Sequence, residues 1–362
     1  MDLTPRKIDL YIFKKFITTF FIALILIIGI VIIFDISEKI DDFVSKEAPL
    51  KEIIFNYYVN FIPYFINMFS PLFVFITVIF FTSVMASNSE IIAILSGGVS
   101  YHRMMVPYLV AAALIAGLSL GLNLYVIPRS NSTRLQFENK YVKQRGFFNR
   151  DIHYQIDPGT FVYVESFSNW NNTAYKFTLE SIEDNKIVSK LTAETAAWDS
   201  TKNCWTLRKY FIRDYSEGLD DRVRTGNRLD TAINLTVSDF YRNKMTVETL
   251  PISELEELIE TQKMRGDANV MYSEIEKHTR YALPFSAFIL TLMGVSLSAR
   301  KRRGGIGWNI AAGIALAFSY ILFLKFSQMF VTTDTLPPGL ALWLPNIIYA
   351  LITAILYWKA PK

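Results

Sequence analysis

The chain has 362 residues, 51% of them hydrophobic, with mean hydropathy +0.25 and a formal net charge of +4. Its 37 basic and 33 acidic side chains are segregated: 45 of them fall between Arg129 and Arg280, and long uncharged runs fill the remainder. This excludes a single soluble globule, and a small positive charge that membrane topology accounts for gives no reason to invoke nucleic acid.

The first uncharged run is Phe16–Phe34. It is too long for a signal-peptide core and lacks a small-x-small cleavage site, so it is expected to stay as a span. Asp35 and Glu38 follow at its outer end, where solvation is expected. The second run, Ile53–Ser89, opens with Asn56 and Asn60 in the interface and then crosses. After it comes "SNSEIIAILSGGVSYHRMM". Ser87, Asn88 and Ser89 offer cap oxygens, Glu90 suits the positive end of a helix dipole, and Gly97-Gly98 supplies a stop. Ile91, Ile94 and Leu95 form an apolar stripe on a helix too short to span anything, as a docking helix would. The third run, Met104–Pro128, carries small residues at Ala113, Gly117 and Gly121. Such a face allows close packing within one bundle or a seam that moves.

The insert from Arg129 to Arg280 changes period. Gly159–Phe167, Tyr175–Ile182, Lys186–Trp198 and Cys204–Tyr215 alternate as strands, separated by "EDNK", "DSTKN" and "EGLDD". Short strands at this spacing predict an antiparallel sandwich or open barrel. "PISELEELIETQ" then gives a helix with Ser253 and Glu256 as a capping box and Leu255, Leu258 and Ile259 on one face. Gly266 breaks it, and a second helix from about Val270 leads into the fourth run, Tyr281–Ala299. Gly304–Leu324 and Thr335–Trp358 complete six runs, the fifth with Gly307, Ala311 and Ala315 on one face and with Lys325 in its outer third. Lys325 reads either as a snorkelling interfacial lysine or as a cation facing a cavity.

Basic residues in the short flanks set orientation. A cytoplasmic N-terminus places Arg6, Lys7, Lys14, Lys15, Arg103, Arg300, Lys301, Arg302, Arg303, Lys359 and Lys362 inside and only Lys39, Lys46 and Lys51 in short outer loops. The insert then faces outward. The expected organisation is an N-terminal membrane half (1–128, spans one to three, with a cytoplasmic helix at about 87–96), an outer β domain (129–250), a helical connection (251–280) and a C-terminal membrane half (281–362).

Catalysis finds little footing. His102, His153 and His278 have no metal-ligand spacing, no P-loop is present, and Cys204 is the only cysteine, which excludes an intrachain disulfide. No carboxylate lies within a span, against an ion-driven carrier. No catalytic residue, metal or cofactor is therefore expected.

Taken in order, "RKIDLYIFKKF", "SEIIAILSGGVS", "ELEELIETQKMRGDANVMYSEIEKHTRYALP", "RKRRGGIGWNIAAGIALAFSY" and "LPPGLALWLPN" resemble the LptF/LptG permease family of the lipopolysaccharide export ABC transporter. The resemblance implies a six-helix transmembrane bundle (3+3) with an inserted periplasmic all-β, jelly-roll-like domain in the bacterial inner membrane. It implies a second LptF/LptG-type subunit, an LptB-type ATPase dimer that grips the short cytoplasmic helix, an LptC-type periplasmic protein and lipopolysaccharide as cargo among membrane lipids. Glu90 becomes the polar contact to the ATPase, with Ile91, Ile94 and Leu95 in its groove, and spans one and five form a lateral gate. Family members often carry basic residues along the outer part of span one. Here "VIIFDISEKIDDF" offers only Lys39 among acids, so phosphate contact falls to Lys39 and Lys325 or to the partner subunit. F-type and G-type both remain open, with the span-one exit leaning to G. The alternative is a scaffold that signals through the membrane without moving substrate; a filled bundle would distinguish it.

Single cysteines at Ser200 and Arg302, after replacement of Cys204, test the orientation. A membrane-impermeant thiol reagent is expected to label position 200 and not 302 in intact cells; labelling at 302 alone would reverse the topology.

Overall fold

The structure, a computed structural model, describes residues 7–142, 148–168, 170–216, 221–237, 240, 247–267, 269–299 and 305–360. Arg6, the basic cluster at 300–303, Lys362 and most of the turn at 217–221 lie outside them. The helices are α1 (Lys7–Ser45), α2 (Leu50–Ser87), α3 (Glu90–Ser96), α4 (Tyr101–Tyr141), α5 (Ile252–Met264), α6 (Val270–Ser298), α7 (Gly305–Thr332) and α8 (Pro338–Trp358). Six of these, all but α3 and α5, are long and apolar enough to cross a membrane. Between α4 and α5 lie β1 (Phe148–Asp157), β2 (Thr160–Ser168), β3 (Thr173–Glu183), β4 (Lys186–Asp199), β5 (Cys204–Asp214) and β6 (Arg222–Thr231). A membrane bundle with an inserted β domain is thus what the chain forms.

Two compact units result: Met1–Val142 with Glu274–Lys362, and Lys143–Ser273. In the helical unit α4 does not stop at Pro128 but runs to Tyr141, because nothing after that proline breaks a helix and Phe137 and Tyr141 bury beside Phe43, Tyr57 and Tyr58. α2 is the hub. One of its faces packs with α1, α3 and α4 through Phe73, Val74, Val78 and Phe81; another meets α6, α7 and α8 through Phe75 and Ile79. Polar pairs tie the spans at depth. Asn67 of α2 donates to Asn123 at 2.7 Å and accepts from Ser119 at 2.6 Å, and Asn123 sits in a π-helical turn, Leu122–Val126, that also lets it donate to the Arg280 carbonyl at 3.4 Å. Tyr320 donates to Asn346 at 2.9 Å, and Asn346 to the Ala282 carbonyl at 2.8 Å.

Close helix packing falls to glycines other than those the sequence pattern singles out. A Cβ on Gly294 would meet Val78 at 2.9 Å and one on Gly313 would meet Ile79 at 2.3 Å, whereas Gly117, Gly121 and Gly307 have nothing within 4 Å. The small-residue faces of α4 and α7 are therefore open in this chain, which overturns their reading as packing seams within its own bundle.

The sheet is an antiparallel meander in the order β1-β2-β3-β4-β5-β6, where a jelly roll would cross over. Its face is kept by an unusual device. In four consecutive strands the inward positions jump by three residues instead of two: Val164 to Phe167, Ala174 to Phe177, Ala193 to Ala196, Leu207 to Tyr210, all in one cluster. Pairing stays in register across each jump, as Arg150 with Ser166, Ile152 with Val164, Arg208 with Arg228 and Tyr210 with Gly226 show. The skipped positions form one line across the sheet: Asp151, Glu165, Lys176, Glu194, Lys209, Asn227. Asp151, Lys176 and Lys209, on alternate strands, have φ of 53°, 50° and 49°. Each such turn of the backbone rotates the side-chain alternation by one step, so the apolar face continues inward past the line. Opposite charges meet along it, Lys176 with Glu165 and Lys209 with Glu194 at 2.6 Å.

After the sheet, α5 starts at Ile252 with Pro251 at its N-cap and no side-chain cap, so Ser253 and Glu256 lie inside the helix and form no capping box. Pro251 is extended (φ −56°, ψ 156°) and itself opens the helix. Gly266 (φ 61°) ends the helix region; Asp267 then accepts from the Asn269 backbone at 2.8 Å, and Ser273 of α6 donates to Gln262 at 2.7 Å.

Lys209→Val is expected to cost about 1–2 kcal/mol, because a β-branched residue resists positive φ, and Lys209→Gly less. Hydrogen–deuterium exchange of the β4–β5 amides in the full chain reads this as roughly 5- to 30-fold faster opening for Val. Equal exchange in the two variants would mean that the line does not depend on backbone conformation.

Candidate functional site

α3 forms where one residue must both end α2 and begin a new helix. Ser89 does so at φ 62°, its N–H bonded to the Ala86 carbonyl and its own carbonyl accepting from Ala93 at 3.0 Å. That conformation leaves its hydroxyl without a cap bond, so the expected side-chain cap is absent. The stop is as expected. Gly98 (φ 83°) takes the left-handed position, with Gly98 N–H to the Leu95 carbonyl at 3.1 Å and Val99 N–H to Ile94 at 3.4 Å, a Schellman ending.

The apolar stripe of α3 faces its own subunit. Ile91 is 1% exposed, and Ile94 and Leu95 pack partly against the same cluster as Ile12, Phe16 and Met104. That burial removes Ile91 from any surface a partner can reach. The large apolar residue that α3 presents is Ile92, 53% exposed, with Ala93 and Ser96 also exposed. Glu90 accepts from the Tyr11 hydroxyl at 2.8 Å and from Asn88 at 3.4 Å, and lies 3.5 Å from the Lys15 ammonium, which in turn donates to Tyr11 at 2.7 Å. Partial burial pushes the Glu90 carboxyl up, but the Tyr11 and Asn88 hydrogen bonds and the Lys15 charge outweigh it and hold it below the usual carboxylate range. The contact therefore contributes fully above that range and is lost only as the pH falls through the depressed value. A second tie closes the segment: Arg103 forms a two-pronged pair with Asp9, at 2.8 and 2.5 Å. His102 beside it bonds the Tyr357 hydroxyl near the end of α8.

At the other end of α1 Glu38 is exposed, as expected, but Asp35 is not solvated. Asp35 is a half-buried acceptor: Lys39 donates to it at 2.8 Å, Tyr57 at 3.2 Å and Tyr58 at 3.1 Å. Lys39 also donates to Tyr57 and lies over its ring. Nearby, Arg134 stacks on Tyr64 and pairs with Glu138 at 3.8 Å, and Lys46 donates to the Val142 carbonyl at 3.0 Å. Lys39 is thus already engaged by Asp35 and by Tyr57 of α2. Lys325 lies on α7, seven residues before the end of that helix and about 10 Å along it from that end. It is exposed, flanked by Leu322, Phe326 and Met329, which are also exposed. α1 and α7 are the two least covered spans, with 17% and 28% of their most apolar stretches buried against 72% for α2.

This six-span bundle with its inserted sheet, short capped helix and two bare spans matches the family described as "Lipopolysaccharide export system permease LptF/LptG" over residues 10–359. The chain belongs to that family. No curated protein matches it significantly. Family membership makes the chain a multi-pass membrane permease of lipopolysaccharide export, a transporter component rather than a chemical catalyst.

The permease's candidate residues fall into two groups that the structure separates: Glu90, Ile91, Ile94 and Leu95 on α3, and Lys39 and Lys325 on α1 and α7. Sequence reasoning missed Tyr11, Lys15, Asp9 and Arg103. A signal was present, since Tyr11 and Lys15 stand four apart beside Ile12 and Phe16, a polar edge along an apolar stripe.

Proposed function

We propose that the chain is one of two permease subunits that lift lipopolysaccharide from the outer leaflet of the bacterial inner membrane, driven by a separate ATPase dimer, and pass it through the periplasmic β domain toward an LptC-type bridge. The family match over nearly the whole chain carries this reading. The two bare spans support it further. A helix such as α1, almost uniformly apolar and little covered by its own chain, needs lipid or a second subunit beside it, and the open small-residue face of α7 suits such a neighbour.

α3 is the coupling helix in this reading. Its ATPase-facing surface is the exposed side at Ile92, with Glu90, Ile94 and Leu95 at the half-buried edges and Ile91 as the anchor. An apolar side chain standing out of a short capped helix fits a groove on a soluble partner. Purification in mild detergent, with identification of co-eluting proteins and lipids, tests the whole assignment. The ATPase, a second permease and lipopolysaccharide are expected together, and Ile92→Glu is expected to reduce ATPase recovery about tenfold or more. Unchanged recovery with Ile92→Glu would remove this face from the interface.

Lys325 is the proposed contact for lipid phosphate. It combines a cation at outer headgroup depth with apolar flanks suited to acyl chains, whereas Lys39 is committed to Asp35 and is left a secondary, bridging role. Lys325→Arg is expected to keep most lipopolysaccharide crosslinking and release, Lys325→Met to lose part, and Lys325→Glu to lose most. Snorkelling alone predicts that Met is tolerated best, so a fully active Lys325→Met returns the residue to the interface.

A further inference from the structure

The carboxylate of Glu90 is oriented toward α1, along the chain's own surface. It receives the Tyr11 hydroxyl at 2.8 Å, and the Lys15 ammonium bonds that same hydroxyl at 2.7 Å while standing 3.5 Å from the carboxylate. The three groups form a closed triangle of charge-assisted contacts, stronger than a bare surface ion pair. Immediately beneath it Ile91, Ile12 and Phe16 pack in one cluster with 1%, 0% and 0% exposure. At the far end of the same loop Arg103 grips Asp9 with both arms of its guanidinium. The start of α3 and the first turn of α4 are thus both fastened to the first turns of α1. Further along, α1 buries only Phe20 and Leu24 before Phe43.

We propose that Glu90 is a positioning residue that carries α1 with the coupling helix: a displacement of α3 by the ATPase is delivered through the Glu90–Tyr11–Lys15 triangle to the inner end of α1, and the bare length of that helix moves as a lever. This rests on the reading of α3 as the coupling helix. A helix that presented Glu90 only to the ATPase would not need Tyr11 and Lys15 on the opposite side of the carboxylate. Apolar packing alone would permit sliding, because Ile12, Phe16 and Ile91 carry no direction. The polar triangle fixes the register between the two helices.

A charge exchange tests it in the complete complex with the ATPase and second subunit, reconstituted with lipopolysaccharide. Glu90→Lys and Lys15→Glu are each expected to leave the complex assembled enough to measure and to cut lipopolysaccharide release per ATP hydrolysed roughly 10- to 100-fold, the range that loss of a charge-assisted hydrogen bond gives. Glu90→Lys with Lys15→Glu in the same chain re-forms the pair with reversed sign and is expected to recover release to within about threefold of the unaltered chain. If the ATPase fails to co-purify with the unaltered chain, the coupling reading itself falls and this proposal with it. If it co-purifies but the double exchange is as defective as Glu90→Lys alone, Glu90 acts on the ATPase and not on α1, and the lever is overturned. A disulfide between cysteines at positions 11 and 90, with Cys204 replaced, gives an independent measure: retained release supports helices that travel together, and abolished release shows that they must part.

Discussion

α1 owes its place to charge. It is a 39-residue helix whose buried residues before Phe43 amount to one narrow stripe, Ile12, Phe16, Phe20 and Leu24, spaced four apart. A stripe that thin, with lipid competing for the same apolar contacts, gives little preference for one rotation or depth over another. The ends supply what the middle lacks. Asp9 and the Tyr11–Lys15 pair hold the inner end to Arg103 and Glu90, and Asp35 holds the outer end to Tyr57 and Tyr58. Because these ties are hydrogen-bonded charges at partly buried sites, removing one partner leaves the other unsatisfied, so the helix is fixed sharply at two points and loosely between them.

The contrast with α2 explains the division of labour in the bundle. α2 is covered on several sides, Gly294 and Gly313 let neighbouring helices approach it closely, and Asn67 bonds Asn123 and Ser119 of α4. Such a helix cannot move without breaking several contacts at once, whereas α1 has few contacts to break. The β unit follows a different logic. A single meander would present one flat apolar face to water, but a coherent phase shift along the line from Asp151 to Asn227 keeps that face turned inward on both sides, with Lys176 paired to Glu165 and Lys209 to Glu194 along it. Trp205, fully buried and donating to the Leu235 carbonyl at 2.7 Å, and Phe240, stacked on Phe167, close its core.

Much of this was legible in the sequence. Six uncharged runs identify six spans because hydrocarbon tolerates few charges and demands about 20 residues, and each run ends where the next charged residue appears. Four strands were readable from alternation. β1 and β6 were not: Asp151 interrupts the pattern of the first, and "RVRTGNRLDT" is a sheet edge with too few apolar residues to show a period. The position of α3 and its Gly98 stop could be read locally, since both depend on backbone chemistry within a few residues.

What the sequence alone determined is the six spans, the short helix α3 and four of the strands, because these follow from the composition of short windows. Which face of each element is free was decided only by the tertiary structure. Ile91, Ile94 and Leu95 are an apolar stripe in either case, and only the arrival of α1, some 75 residues earlier in the chain, turns that stripe inward and leaves Ile92 outside. Asp35 reads as a solvated charge until Tyr57 and Tyr58 of α2 donate to it. Gly117 and Gly313 look alike as small residues in apolar helices, yet one faces open space and the other a side chain of α2. Burial is a property of pairs of distant segments, and a window of sequence holds only one member of each pair.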